Sequence, residues 1–273
     1  MSEYYKPDRN PNWNYGGEKF RLSRSKISLY LECPRCFYID NKLGTPRPPG
    51  YPFALNSAVD ALLKKEFDAH RGNGTAHPLM KAYGLDAVPF DDSRMEEWRD
   101  SLRRGVVHVH GPTGLTVCGG IDDVWITPDK ELIVVDYKAT SKDEKIESLD
   151  KDWHDGYKRQ VEIYQWLFRQ NGFKVSDTGY FVYANAGKDK KAFDGVLEFE
   201  VTLVPHKGDA SWVEGTLVNI KKCLDSSELP NPAPDCDYCT YREMVGKKML
   251  AFVKATQGQS TASEKKKNAT LGI

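Results

Sequence analysis

The chain has 273 residues, enough for one large domain or two small ones with a substantial buried core. Apolar residues make up 40% and charged residues 29%, as in soluble globular proteins, and no apolar run approaches the ~18 residues of a membrane-spanning helix. The 39 basic residues balance 39 acidic ones, so nucleic acid would have to be held by a local patch and not by a global field.

Residues 1–20 are polar, aromatic and rich in Pro and Gly, and read as an irregular segment. They hold no apolar stretch of the kind that opens a secretory signal, which predicts a cytoplasmic protein without a membrane partner. From Leu22 the spacing of Ile27, Tyr30 and Leu31 predicts a helix with Ser23 or Ser25 as N-cap, broken at Pro34. A second helix is expected over 53–68, with Leu55, Val59, Leu62, Leu63 and Phe67 as its apolar stripe. Asp60 sits at the edge of that stripe, placed as a solvated partner of Lys64 one turn on. His70 and His77, in Gly- and Pro-rich surroundings, are expected at the surface. Strand-like alternation returns at 106–110 and leads toward a strand over 115–126.

The stretch GGIDDVWITPDKELIVVDYK, 119–138, reads as two strands joined by a turn at Thr127 to Lys130. With a loop over Pro128 to Lys130, Asp122 stands opposite Asp136, on the face of Val124, Ile126, Leu132 and Val134. Trp125, Ile133, Val135 and Tyr137 line the other face, so the hairpin belongs inside a sheet covered on both sides. Facing carboxylates repel, and burial makes this worse. A shared proton, the ammonium of Lys138, or a divalent ion such as Mg²⁺ would relieve the repulsion. The plainer alternative is a strand-end ion pair between Lys138 and Asp136, with Asp122 turned to solvent.

Beyond a charged loop, a strong helix is expected over 157–170, with Gln160 and Tyr164 on one face. Strands follow at 178–184 and 196–204, then a helix at 212–224 and a polar, disordered tail over 257–273. A single domain is expected over 21–256. Two C-x-x-C pairs, Cys33/Cys36 and Cys236/Cys239, lie near opposite ends of the chain and point to four thiolates around a metal, either zinc or iron–sulfur.

GGIDDVW, VVDYKAT and QVEIY, in that order, resemble motifs II, III and IV of the PD-(D/E)XK nuclease superfamily, RecB-like branch. Gly119 matches a glycine of that branch, and Ser23 through Cys33, Pro34, Arg35, Phe37 and Tyr38 resemble its amino-terminal segment. The resemblance spans about Leu22 to Arg242 and implies an α/β, restriction-endonuclease-like core. In that core the strands of 106–138 and 178–204 form a central mixed sheet flanked by helices. Asp122 and Asp136 would be ligands of Mg²⁺ or Mn²⁺, joined by the Tyr137 carbonyl and by Asp60, where the branch carries a histidine. Lys138 would be the catalytic lysine, Gln160 and Tyr164 the Q-x-x-x-Y pair, DNA the substrate, and exonuclease the expected activity.

Several RecB-like nucleases, including the AddB subunit and CRISPR-associated exonucleases, join their ends through a [4Fe–4S] cluster. Cys33, Cys236 and Cys239 match that pattern, but the third carboxy-terminal position is Val245, so Cys36 would be the fourth ligand and Zn²⁺ stays open. With no phosphate-loop motif in the sequence, a helicase would be a separate chain; a CRISPR adaptation protein is the other expected partner. The rival reading is an inactive nuclease-fold module that binds DNA or assembles with other proteins, stapled by zinc.

Overall fold

The structure is a computed structural model and describes residues 5–50 and 53–270, the side chains of 257–270 excepted. Among the described residues, fifteen α-helices and strands precede the carboxy-terminal helix: β1 (Leu22–Ser23), α1 (Arg24–Glu32), α2 (Pro34–Asn41), α3 (Ala54–Asn73), α4 (Pro78–Ala82), β2 (Val88–Pro89), α5 (Met95–Arg99), β3 (Val106–His110), β4 (Leu115–Gly119), β5 (Asp123–Ile126), β6 (Leu132–Thr140), α6 (Asp155–Gln170), β7 (Thr178–Ala186), β8 (Phe199–Lys207) and α7 (Trp212–Asp225). The last helix, α8 (Asp237–Thr270), carries the chain past Gln257, where a disordered tail was expected; side chains from 257 on and residues 271–273 lie outside the described residues.

The β5–β6 hairpin sits where its sequence places it. Pro128 presets the first turn position, Lys130 closes the turn by donating to the Thr127 carbonyl at 2.9 Å, and Lys130 itself adopts a left-handed φ of 58°. That loop sets the register, with Val124 opposite Val134 and Trp125 opposite Ile133. Strand order is β2-β5-β6-β7-β8; β6 and β7 are parallel, the other neighbours antiparallel. Parallel strands need a crossover, and α6 supplies it.

Both faces of this sheet are covered. Val124, Leu132 and Val134 pack with Val161, Tyr164 and Leu167 of α6, whereas Trp125, Ile133, Val135 and Tyr137 pack with Leu63 and Phe67 of α3. The α3 stripe is narrower than expected, because Leu55 and Leu62 are exposed and Leu63 and Phe67 carry the contact. His77 is not at the surface: its ring stacks on Phe67 at 4.2 Å, and its two nitrogens face Glu66 and the Leu79 N–H.

The strands of 106–119 do not join this sheet. β4 pairs with both β3 and β1 in a separate three-stranded sheet of order β1-β4-β3. The break at Gly120–Asp122 has a local cause. A side chain on Gly120 would collide with Ser101, the Ile121 N–H bonds the Trp98 carbonyl, and Arg99 Nε bonds the Asp122 carbonyl, so α5 takes up backbone groups that a strand would share. Asp122 lies in this break, at the mouth of the hairpin.

Candidate functional site

Alternation along β6 turns Asp136 and Lys138 toward α6, and Tyr137 toward α3. Asp136 has no solvent exposure, and its Oδ1 has no hydrogen-bond partner among the described residues. The Lys138 ammonium lies against its Oδ2 and also over the Tyr157 ring, 4.5 Å from its centroid. Burial pushes the Asp136 carboxyl up to about 7; Lys138 opposes that push and the neighbouring Asp122 adds to it.

Asp122 stands next in the ladder after the Asp123–Val135 pair and takes a side-chain bond in place of a backbone one: the Tyr137 N–H donates to its Oδ2 at 2.9 Å. The other oxygen, Oδ1, faces Lys64 Nζ at 3.5 Å, and the same ammonium bonds Asp60 Oδ2 at 2.8 Å. Lys64 is therefore the one-turn partner of Asp60 foreseen from the spacing and also its bridge to Asp122. Two ammonium groups, of Lys64 and Lys138, thus face three carboxylates.

On α6, Gln160 Nε2 donates to the Tyr164 hydroxyl at 3.2 Å, and both side chains are buried. Burial raises the Tyr164 phenol to about 12, with Arg24 opposing and Asp136 and Asp122 contributing. Gln160, Tyr164, Asp122 and Asp60 line one cavity of about 350 Å³, together with Arg24 and Lys64. A second, of about 440 Å³, meets it at Asp60 and Asp122 and reaches Tyr137 and Lys138. All the residues expected at the catalytic site other than Asp136 border these two spaces, and Asp136 lies beneath Lys138.

The arrangement also holds residues that local patterning did not single out. Asp123 is fully buried and receives five donors: Arg71, Arg99, the Val124 N–H, the Trp125 indole and the Tyr137 hydroxyl. Nothing in the pair Asp122-Asp123 reveals the second role, because both arginines come from distant helices. Arg24, at the start of α1, is another such residue.

The four cysteines gather as their pairing implied. Cys33 joins α1 to α2, Cys36 lies in the first turn of α2, Cys236 precedes α8 and Cys239 lies in its first turn. All four thiols are free and buried, with ligand atoms within 4.8 Å of one another. Sulfur separations are 3.8 Å for Cys33–Cys239, 3.5 Å for Cys36–Cys236 and 3.6 Å for Cys36–Cys239. Arg242 Nη2 donates to Cys36 and Cys239, Arg47 Nη2 to Cys236, and the Ala233 N–H to Cys33. Helix N-termini and guanidinium groups both favour thiolates. Among the described residues, no other set of three or more His, Cys, Asp or Glu side chains brings its ligand atoms so close. Cys118 and Cys223 stand apart from it.

Among the described residues no helix is long and apolar enough to cross a membrane. A solved structure described as the crystal structure of SSO0001 is similar to this chain at 16% identity and a TM-score of 0.38, covering 81% of this chain and 84% of its own. No curated protein matches. A family model described as the PD-(D/E)XK nuclease superfamily matches residues 54–244, a span that includes α3, the β5–β6 hairpin, α6 and the second cysteine pair. By that match the chain belongs to the PD-(D/E)XK nuclease superfamily.

Proposed function

We propose that the protein is a divalent-metal-dependent deoxyribonuclease that hydrolyses phosphodiester bonds from a DNA end. The observation that carries this reading is Asp136. A fully buried carboxylate with Asp122 beside it, an ammonium against one oxygen and no partner for the other is a poor structural element and a suitable hard-oxygen ligand. Asp122 and Asp136 would hold Mg²⁺ or Mn²⁺, with Asp60 and the Tyr137 carbonyl completing the donor set. Such an ion supplies Lewis acidity at the phosphate and makes water more acidic.

The chain's own groups do the rest. Lys138, displaced from Asp136, orients the attacking water from the same face of β6. Gln160 and Tyr164 present an amide and a hydroxyl to the substrate backbone from the cavity wall. Digestion from an end, and a setting in DNA repair, recombination, CRISPR or phage DNA processing alongside a separate helicase or adaptation protein, follow the likeness to RecB-like nucleases.

The Cys33, Cys36, Cys236 and Cys239 site is read as a structural staple. The sulfurs of a single tetrahedral ion with bonds of 2.3 Å stand roughly 3.8 Å apart, whereas those around a [4Fe–4S] cube stand roughly 6 Å apart. Three of the six sulfur separations lie at 3.5–3.8 Å and all four sulfurs lie within 4.8 Å of one another, which supports one zinc ion over the cluster that the family likeness implies. End-labelled linear DNA incubated with the protein and Mg²⁺ or Mn²⁺ tests the catalytic reading. Degradation that disappears with chelator and in Asp136→Ala is expected; intact DNA bound by the protein would instead favour the inactive module.

A further inference from the structure

Four charged side chains outside the reacting groups close a ring behind Asp122. Asp68 bonds Arg71 at 3.0 Å and takes both arms of Arg99 at 2.8 and 3.0 Å. Asp123 bonds Arg71 directly and faces Arg99 at 3.4 Å. The ring is neutral and mostly buried: the side chains of Arg71 and Arg99 are 8% and 9% exposed and Asp123 is not exposed at all, while Asp68 reaches the surface at 38%. A buried ionic network is weak evidence of a stabilising role, since apolar residues of similar volume serve stability as well or better. Forked guanidinium–carboxylate pairs do fix orientation.

Two members of the ring, Arg99 and Asp123, bond residues of the site directly. Arg99 Nε donates to the Asp122 carbonyl at 3.0 Å, fixing the backbone of that residue in the break between β4 and β5. Asp123 accepts the Tyr137 hydroxyl at 2.7 Å, and the Tyr137 N–H in turn holds Asp122 Oδ2 at 2.9 Å. Asp68 and Arg71 lie on α3 about two turns beyond Asp60 and Lys64, so the ring locks the helix that offers Asp60 to the strand end that offers Asp122. These bonds come from α3, α5 and β5, three elements that share no backbone ladder with one another.

We infer that Asp68, Arg71, Arg99 and Asp123 are positioning residues that set the separation of Asp60 and Asp122, and thereby the affinity for the divalent ion. The inference rests on the metal reading of the preceding section. Partners that orient metal ligands from behind typically change metal affinity by about 10–100-fold when removed. Lysine in place of Arg99 keeps the charge and loses the fork, and asparagine in place of Asp68 removes charge at the solvent-reaching edge of the ring while keeping a hydrogen-bond acceptor there.

The test is Mn²⁺ binding by calorimetry to wild type, Arg99→Lys and Asp68→Asn, with the cysteine site loaded as purified and no DNA present, alongside thermal unfolding without Mn²⁺. The expected result is binding weaker by about tenfold or more in both variants, with the metal-free melting temperature of Asp68→Asn close to wild type. Wild-type affinity in a folded Asp68→Asn or Arg99→Lys protein would overturn the inference and leave the metal site standing. Absence of Mn²⁺ binding in wild type would overturn both.

Discussion

The Tyr137 backbone N–H is bonded to the side chain of Asp122, at 2.9 Å, and not to a strand backbone. The hairpin ladder therefore ends in a carboxylate, and one oxygen of that carboxylate is committed to the fold while the other faces Lys64 and the cavity. An amide oxygen can accept the same N–H. Asp122→Asn is thus expected to unfold within about 0.5 kcal/mol of wild type, as a surface-like change does, yet to lose metal-dependent DNA degradation by at least about 100-fold. Denaturant unfolding beside a nuclease assay separates the two effects; equal activity would show that the charge of Asp122 is idle.

Asp136 gives a pH dependence with a definite sign. Burial raises its folded pKa from 3.8 to about 7, so the protonated form favours the folded state. That contribution is fully present below about pH 4 and is lost as pH rises through about 7. In protein freed of divalent ions, the stability of wild type relative to Asp136→Asn should fall over this window by up to roughly 4 kcal/mol, then level off. Urea unfolding of the two proteins across that range provides the check. Parallel pH curves would mean that the carboxylate is already ionised and satisfied.

Gly119 explains why a glycine stands three residues before Asp122. A Cβ there would lie 2.5 Å from Tyr164 Cε1 and 3.3 Å from Leu167 Cδ1, inside the packed contact between β4 and α6. Gly119→Ala should cost about 1–3 kcal/mol by overpacking, and it should push Tyr164 off Gln160 with a loss of activity beyond the loss of stability. Melting temperature and activity measured together will show whether the two move as described.

The cysteine site predicts a colourless protein that carries zinc. Cys239→Ser should release the metal, free the start of α8 and destabilise the fold by several kcal/mol, since binding to such sites is coupled to folding. Metal analysis and absorbance of the purified protein decide the identity. Brown protein with absorbance near ~400 nm would assign an iron–sulfur cluster.

What could be read from residues alone divides along a physical line. The hairpin register, the burial of both its faces, the Gln160–Tyr164 contact and the meeting of the cysteine pairs all follow from short-range rules: alternation, turn chemistry, one-turn spacing and ligand pairs. The core of Asp123 follows from none of them, because Arg71 and Arg99 reach it from helices 52 and 24 residues away. Leu55 and Leu62 share the period of Leu63 and Phe67 but are exposed, since the sheet covers only part of α3. The separate sheet of β3 and β4 depends on Ser101 and Trp98 crowding and bonding the Gly120–Asp122 backbone, a contact between segments that local periodicity does not report.

The central claim is that Asp122 and Asp136 share a divalent ion, and a crystal soaked in Mn²⁺ tests it most directly through the metal's anomalous scattering. The account predicts a peak about 2.2 Å from a carboxylate oxygen of each residue, with the Lys138 ammonium moved off Asp136. Crystals that take up Mn²⁺ elsewhere, or not at all, with Lys138 still against Asp136, would contradict it.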